Sequence, residues 1–344
     1  MHFALCVSVR NMDLSIVIPM FNEAENVETT LKRVKEVLAR FPGSFEIIPV
    51  NDGSVDNTLE ILEKVAAKDD RIKVASYPKN IGRGMALRTG LKKSSGDIIV
   101  STDADLSFSP NHILDLIKVL RDEPLIDFVL ASPYVPGGRT ENVPFHRLWI
   151  SKLGNKVLRY TMPNRIYYST GVFRAYRRKV IDSLELESDD KEIHLEILSK
   201  AVAMGFRVKE FSVVLTARTR GKSKFKFKKT AISHLVFSFF EKPMIVFGFL
   251  GLLSLGIGLL IGLYIAYLRF TGELTPGRPL ITFAILLILG GIQILSFGFI
   301  ALQILSLRKE ILRVQKENLE LKKEIVGQGK GKDASLGKVL GRGE

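Results

Sequence analysis

The chain has 344 residues, enough for one large domain or two smaller ones, and its 46% hydrophobic content can fill a sizeable core. A formal charge of +14 raises nucleic acid as a partner, but the lysines cluster beside long uncharged runs, which argues for a membrane surface instead and against nucleic acid. The single Cys6 excludes an internal disulfide framework and a cysteine-rich metal site.

Residues 1–12 read as an N-terminal extension. The apolar stretch Phe3 to Val9 is too short and weakly flanked for a signal peptide, and ordered patterning begins at Asp13, so Met12 is an alternative start. From Asp13 the strand-like runs LSIVIP, FEIIPV, IKVASY, DIIVST and FVLASPY alternate with helical stretches. Those stretches are Glu25 to Ala39, Thr58 to Ala67, Ile81 to Lys93 and Asn111 to Leu120, the last opened by Ser109 and Pro110 as cap and first turn. Such alternation predicts an α/β domain with a mostly parallel sheet. Ligands in such sheets bind beyond the carboxyl ends of the strands. That rim carries Pro19-Met20-Phe21-Asn22-Glu23, Asn51-Asp52-Gly53-Ser54 and Asp103-Ala104-Asp105.

Between Arg139 and Met162 the texture changes. Leu148, Ile150, Leu153, Val157 and Leu158 interleave with Arg147, Lys152, Lys156 and Arg159, the pattern of an amphipathic helix against a membrane surface or a core. Phe225 to Phe240 mixes lysines with aromatics, and 230–242 reads as an interfacial segment. Two runs without a charged side chain follow, 243–268 and 279–307, each longer than the roughly 20 residues a membrane-spanning helix needs. The alternative, a helical hairpin buried in a globular protein, conflicts with the lack of a polar face. Gly248, Gly251, Gly256, Gly258 and Gly262 suit close helix packing in lipid.

The linker Arg269 to Arg278 is short and nearly neutral, whereas the outer flanks are basic: Lys222, Lys224, Lys226, Lys228 and Lys229 before, Arg308, Lys309 and Arg313 after. The positive-inside rule then puts both termini and the N-terminal domain of a two-span membrane protein in the cytoplasm. Leu307, Ile311, Val314, Asn318, Leu321 and Ile325 alternate four and three residues apart, a heptad seam that predicts a short helix over 308–326 and self-association as a homo-oligomer. The glycine- and lysine-rich 327–344 reads as a disordered tail.

Asp103 and Asp105 end the apolar run Ile98-Ile99-Val100 one residue apart. An EF-hand loop needs glycine at its sixth position and glutamate at its twelfth, where Phe108 and Leu114 stand. A phosphatase-like nucleophile also follows an apolar strand, but Leu106-Ser107 continues it poorly. A solvated turn accounts for one aspartate more easily than for two. A divalent cation bridged to a diphosphate accounts for both. Mg²⁺ or Mn²⁺ takes one or two carboxylates, fills its shell with phosphate oxygens and water, and neutralises charge on a departing nucleoside diphosphate.

In their order and spacing, SIVIPMFNEAENV, VNDGSVDNT, NIGRGMALRTGL and STDADLSFSP resemble the nucleotide-sugar half of a family 2 glycosyltransferase with the GT-A fold. YVPGGR, RLWIS, STGVFRAYRR, HLEIL and RTRGKSK are similar to the polyprenyl-phosphate sugar synthases, most of all the dolichol-phosphate mannose synthases. The resemblance covers a domain at 13–229. It implies a mixed α/β sheet with helices on both faces, followed by a two-helix transmembrane hairpin. It also implies a Mg²⁺- or Mn²⁺-dependent, inverting transfer of one hexose to a polyprenyl (dolichyl) phosphate at the cytoplasmic membrane face. Mannose from GDP-mannose is the first expectation for the donor and glucose from UDP-glucose the second.

Carried over motif by motif, the resemblance assigns Pro19, Phe21 and Glu23 to the nucleoside, Asp52 to its base or ribose, and Arg83 to a donor phosphate. Asp103 and Asp105 become the metal and diphosphate carboxylates, with Ser107 a third metal contact where relatives often carry glutamine. Glu196 matches an acidic catalytic position that contacts sugar or acceptor or else holds structure; His194 beside it reads as an ordinary helix residue. Arg147 and Ser151, four apart on one helix face, and Arg218 match the contacts to the lipid phosphate. Arg139 substitutes for an arginine that relatives place where Pro133 stands, and Asn51 replaces one aspartate of a frequent pair. Because a phosphate monoester has a second pKa of about 6, the acceptor oxygen is already anionic and needs positioning more than a base.

Two other functions share these features. A processive polysaccharide synthase also joins this fold to membrane helices, but its Q-x-x-R-W motif is absent and the only tryptophan, Trp149, follows Arg147-Leu148 without the glutamine. A non-catalytic nucleotide-sugar-binding membrane scaffold would not need Asp103, Asp105, Arg147 and Arg218 together.

Overall fold

The computed structural model of the chain describes residues 12–141, 166–167, 171–216, 243–272 and 279–340. The amphipathic segment expected near Arg147, the interfacial segment 230–242 and the start of the N-terminal extension lie outside the described residues. Those described up to 216 and from 315 onward form one compact unit, and those from 243 to 314 another.

The first unit is built on a seven-stranded sheet. Its elements in chain order are β1 (Leu14–Met20), α1 (Ala24–Leu38), β2 (Phe45–Asp52), α2 (Thr58–Ala66), β3 (Ala75–Tyr77), α3 (Arg83–Lys93), β4 (Ile98–Ser101), α4 (His112–Asp122) and β5 (Phe128–Ser132). There follow β6 (Arg139–Glu141), β7 (Arg174–Arg177), α5 (Arg178–Ser183), α6 (Ile193–Ala203), β8 (Val208–Ser212) and β9 (Val214–Thr216). The strand order is β3-β2-β1-β4-β7-β5-β8, with β7 antiparallel to both neighbours and the other pairings parallel. β6 and β9 form a separate two-stranded parallel sheet.

The apolar strands are buried on both faces, as parallel sheets require. Leu14, Ile16 and Ile18 pack with Val27, Leu31 and Val34 of α1 and with Ile113, Leu116 and Leu120 of α4 on one side. On the other, α3 lies so close that a Cβ on Gly90 would sit 2.2 Å from Val17 Cγ1. The GT-A expectation of a mixed sheet with helices on both faces is therefore met. Connections run to β2 on one side of β1 and to β4 on the other. The reversal opens a crevice at the carboxyl ends of β1 and β4.

At the opposite, amino ends of the strands, Glu46 is fully buried among Ser15, Ser95 and Lys73. Burial alone would raise its carboxyl. The Lys73 ammonium at 2.6 Å, the Ser15 and Ser95 hydroxyls and the Ser95 amide outweigh burial and hold it below the usual carboxylate range.

Some elements differ from expectation. The strand read in IKVASY is only Ala75–Tyr77, with Ile72 making an isolated bridge to Ile47, because this edge strand has one partner. α4 starts at His112 after Asn111; Ser109 and Pro110 belong to the preceding turn, in which Ser109 O accepts the His112 amide at 3.1 Å. The strands of the small sheet, β7, β8 and α5 lie beyond the strand and helix series read from the sequence, which closes at FVLASPY.

The second unit holds α7 (Pro243–Phe270) and the first part of α8 (Pro279–Leu340). Both helices are long and apolar enough to cross a membrane. Their side chains are largely exposed, Leu260 at 68% and Leu263 at 69%, which is not the environment of a buried hairpin. They meet at small residues: a Cβ on Gly251 would lie 2.7 Å from Leu295 Cγ, and one on Gly291 2.9 Å from Gly251 O. Gly256 and Gly262, expected in that contact, face open space instead. α8 is one helix where a span, a separate heptad helix and a disordered tail over 327–344 were expected. Propagating an existing helix needs no new nucleus, and no proline interrupts it after Pro279, so the glycines of the tail only weaken it.

Because the folded carboxyl of Glu46 titrates below its unfolded value, its contribution to stability is full above about pH 4.5 and is lost as pH falls through the lower folded value. Glu46→Gln is expected to destabilise the protein by about 1–3 kcal/mol at pH 7 and to flatten the acid limb of stability. Thermal denaturation from pH 3 to 7 checks both.

Candidate functional site

Three turns meet at the crevice. In the turn after β1, Asn22 has φ 50°, a left-handed conformation that asparagine tolerates better than most residues. Its N–H donates to Ser54 Oγ at 2.9 Å and its Oδ1 accepts the Val55 amide at 2.8 Å, which locks this turn onto the one after β2. Glu23 is buried; Asn26 Nδ2 donates to its Oε2 at 2.6 Å, and its own N–H donates to Thr58 Oγ1 at 2.8 Å. Pro19 and Phe21 are half-buried on the same rim.

In the turn after β2, Asp52 is 4% exposed and surrounded by donors. Its Oδ1 accepts the Tyr77 hydroxyl at 2.7 Å and the Ile81 and Gly82 amides at 3.0 and 3.2 Å, while Oδ2 accepts Asn80 Nδ2 at 2.8 Å. Gly53, at φ 58°, cannot be replaced without strain: a Cβ there would lie 2.3 Å from Asn80 N. Burial, then the hydrogen bond to Asp52, pushes the Tyr77 phenol far above its usual range, so it stays a donor. Asn51 is buried too. It donates to Ser76 Oγ at 3.0 Å and accepts the Ser54 amide at 3.2 Å. An aspartate would lose that donor and add a second buried negative charge, which rationalises asparagine here.

The third turn follows β4. Thr30 Oγ1 donates to Ala104 O at 2.6 Å, fixing the turn to α1. Leu106 has φ 54° and folds the chain back, so that the Ser107 amide and hydroxyl both donate to Asp105 Oδ1, at 3.0 and 2.7 Å. Ser107 thus orients Asp105. Its carbonyl accepts the Thr216 amide at 2.9 Å and the Thr216 hydroxyl at 3.1 Å, which ties β9, and through it β6, to this turn. Arg139 opens β6 and is exposed. Arg83, the first residue of α3, brings Nη1 to 3.5 Å from Asp103 Oδ1.

Arg83, Asp103, Asp105 and Ser107 therefore come together, with Pro19, Phe21, Glu23 and Asp52 along the same rim and Arg139 on the attached small sheet. Arg147, Ser151 and Arg218 lie outside the described residues. Glu196 stands apart in the first turn of α6, with both carboxylate oxygens occupied by backbone amides and by Lys200. No group of three or more His, Cys, Asp or Glu that could hold a metal ion occurs among the described residues. Two carboxylates on one turn, Asp103 and Asp105, suit an ion that completes its shell with phosphate and water. Of the contacts that sequence reading missed, Glu196–Lys200 had a signal in its spacing of four. Tyr77, Asn80, Thr30 and Thr216 had none, since each reaches its partner from a distant segment.

Residues 15–185 match the model of the family described as glycosyl transferase family 2. The chain is 35% identical over 219 residues to a dolichol-phosphate mannosyltransferase of Pyrococcus furiosus, covering 63% of this chain but only 60% of that protein, less than two thirds of its length. It is 32% identical over 294 residues to a bactoprenol glucosyl transferase of Shigella phage SfV, covering 83% of this chain and 91% of that one. Among solved structures, glucosyl-3-phosphoglycerate synthase from Mycobacterium tuberculosis in complex with Mn²⁺ and UDP-glucose is similar at a TM-score of 0.51 and 19% identity, covering 66% of this chain and 79% of that one. At that identity the likeness is one of fold.

Asp52→Ala leaves four donors without their acceptor. It is expected to lower stability by roughly 3 kcal/mol and to release the turn at 77–82, measured as faster hydrogen exchange at the Ile81 and Gly82 amides.

Proposed function

Because this chain belongs to glycosyl transferase family 2, we propose that it transfers one hexose from a nucleotide sugar to a polyprenyl phosphate at a membrane. The observation that carries this reading is the approach of Arg83 to Asp103 on the rim where Asp105 also stands. A guanidinium beside two carboxylates suits a diphosphate that arrives with a divalent cation. Mannose from GDP-mannose is the donor we favour, supported by the Pyrococcus furiosus relative. Glucose from UDP-glucose is the second reading, favoured by the phage relative, whose similarity extends over 294 residues.

In this proposal Pro19, Phe21 and Glu23 border the nucleoside, Asp52 shapes the turn beneath it, and Arg83 holds a donor phosphate. Asp103 and Asp105, the latter oriented by Ser107, would hold Mg²⁺ or Mn²⁺, which when bound neutralises charge on the leaving diphosphate. Arg139, Arg147, Ser151 and Arg218 grip the acceptor phosphate. An acceptor phosphate oxygen attacks the anomeric carbon in line. The bond from that carbon to the donor phosphate breaks, the nucleoside diphosphate leaves, and the configuration inverts. The acceptor enters already ionised, so positioning and charge neutralisation supply most of the acceleration.

In this proposal α7 and α8 anchor the enzyme as two membrane spans, and the basic flanks on both sides of the pair support a cytoplasmic catalytic domain with both termini on the same side. Leu307, Ile311, Val314 and Leu321, exposed along α8, supply a face for self-association.

Full-length protein with Mn²⁺, a polyprenyl phosphate and either GDP-mannose or UDP-glucose is expected to yield a metal-dependent lipid-linked hexose, and Asp105→Ala to reduce its rate at least about 100-fold. No lipid product with either donor would refute the proposal. Ser107→Ala is expected to raise the Mn²⁺ concentration for half-maximal activity by about tenfold while leaving the melting temperature nearly unchanged.

A further inference from the structure

Glu196 matches a position where an acidic residue could touch sugar or acceptor, but its carboxylate has little left to offer a substrate. Oε1 accepts the Glu187 amide at 2.9 Å and the Lys200 ammonium at 2.7 Å, and Oε2 accepts the Ser188 amide at 2.8 Å. The group is 8% exposed. Burial alone would raise its carboxyl, yet Lys200 and the Ser188 and Glu187 hydrogen bonds hold it below the usual range.

The segment that Glu196 holds continues to Asp189 and covers the start of α3. Asp189 O accepts the Met85 amide at 3.1 Å, and Arg88 Nη1 donates to Glu187 O and to Asp189 Oδ1, both at 2.8 Å. The fit is close. A Cβ on Gly84 would lie 2.4 Å from Ser188 O, and one on Gly82 2.4 Å from Asp189 O. From the other side, Asp52 Oδ1 takes the Ile81 and Gly82 amides. The backbone that carries Arg83 is thus clamped between two buried carboxylates, one acting directly and one through the 187–189 segment. The Asp189 carbonyl occupies the Met85 amide, so that donor in the first turn of α3 is already spent within the protein.

We infer that Glu196 is a positioning residue for the donor. It holds 187–189 against Gly82 and Gly84, fixes Arg83 beside Asp103, and so sets affinity for the nucleotide diphosphate without touching sugar or acceptor. The inference rests on the reading of Arg83 as the donor-phosphate arginine.

The test uses full-length protein carrying Glu196→Gln, Arg83→Ala, both together, or Gly84→Ala. A glutamine must turn its NH₂ toward either the Glu187 or the Ser188 amide, setting donor against donor, and it loses the Lys200 pair. Glu196→Gln is expected to raise the dissociation constant for GDP or UDP, measured by titration without turnover, and the KM for the nucleotide sugar by about tenfold. The KM for the lipid phosphate should stay unchanged, and in the Arg83→Ala background Glu196→Gln should cost nothing further. Gly84→Ala, which displaces the same segment and leaves Glu196 intact, should show the same pattern. If Glu196→Gln does not fold, Gly84→Ala with and without Arg83→Ala decides. A loss in kcat at unchanged nucleotide affinity, an equal loss with Arg83 absent, or wild-type behaviour overturns the inference. So does nucleotide affinity indifferent to Arg83→Ala. Formation of lipid-linked hexose by the unmodified protein tests the proposed reaction separately.

Discussion

A carboxylate removed from water must be surrounded by donors or it destabilises the fold, and Asp52 meets that requirement at the end of β2. Of its four partners, Tyr77 ends β3, while Asn80, Ile81 and Gly82 come from a segment that would otherwise be an unconstrained loop between β3 and α3. Satisfying one charge therefore fixes where α3 begins, and with it the direction from which Arg83 approaches Asp103. The close passage of the chain over Gly53 follows from the same requirement, since any side chain there would strike the backbone of Lys79 and Asn80. The crevice owes its existence to the reversal of strand order at β1, but its shape on the β2 side depends on this anion.

The same economy appears in the cations of the sheet. Arg174, Arg177 and Arg178 stand close together in a chain that we propose binds phosphates, yet each donates to backbone carbonyls of its own fold. Arg174 donates to Gly171 O and His194 O, Arg177 to Ile126 O and Leu120 O, and Arg178 to Gly96 O. Arg174 ties the start of β7 to α6, Arg177 ties its end to α4 and to the approach to β5, and Arg178, at the start of α5, reaches the approach to β4. A basic cluster in sequence is here a device for satisfying carbonyls where parallel and antiparallel pairing meet.

Much of this was legible in the sequence because long apolar runs and their helical intervals are local signals. The bounds of α1, α2 and β1 follow from periodicity within a residue or so, and the two long apolar helices from composition alone. The motifs at strand ends located the crevice, because topology leaves few other places for them. What escaped was non-local. β6 and β9 are three residues each and exist through pairing with one another and, for β9, through the bridge from Leu215 to Phe108. The role of Glu196 depends on a segment that the chain returns to α3 from a hundred residues away. α8 runs past its expected end because extending a helix already formed needs no new nucleus, a continuity that composition alone does not register.

Ser107 and Thr216 are joined through a single carbonyl, yet they belong to different halves of the domain. One half carries the aspartate turn and the other leads away through β9. The two halves are thus not freely interchangeable modules. A recombinant that takes its first half from one homologue and its second from another inherits this seam: its backbone bond forms with any residue at 107, whereas its second bond needs a hydroxyl at 216.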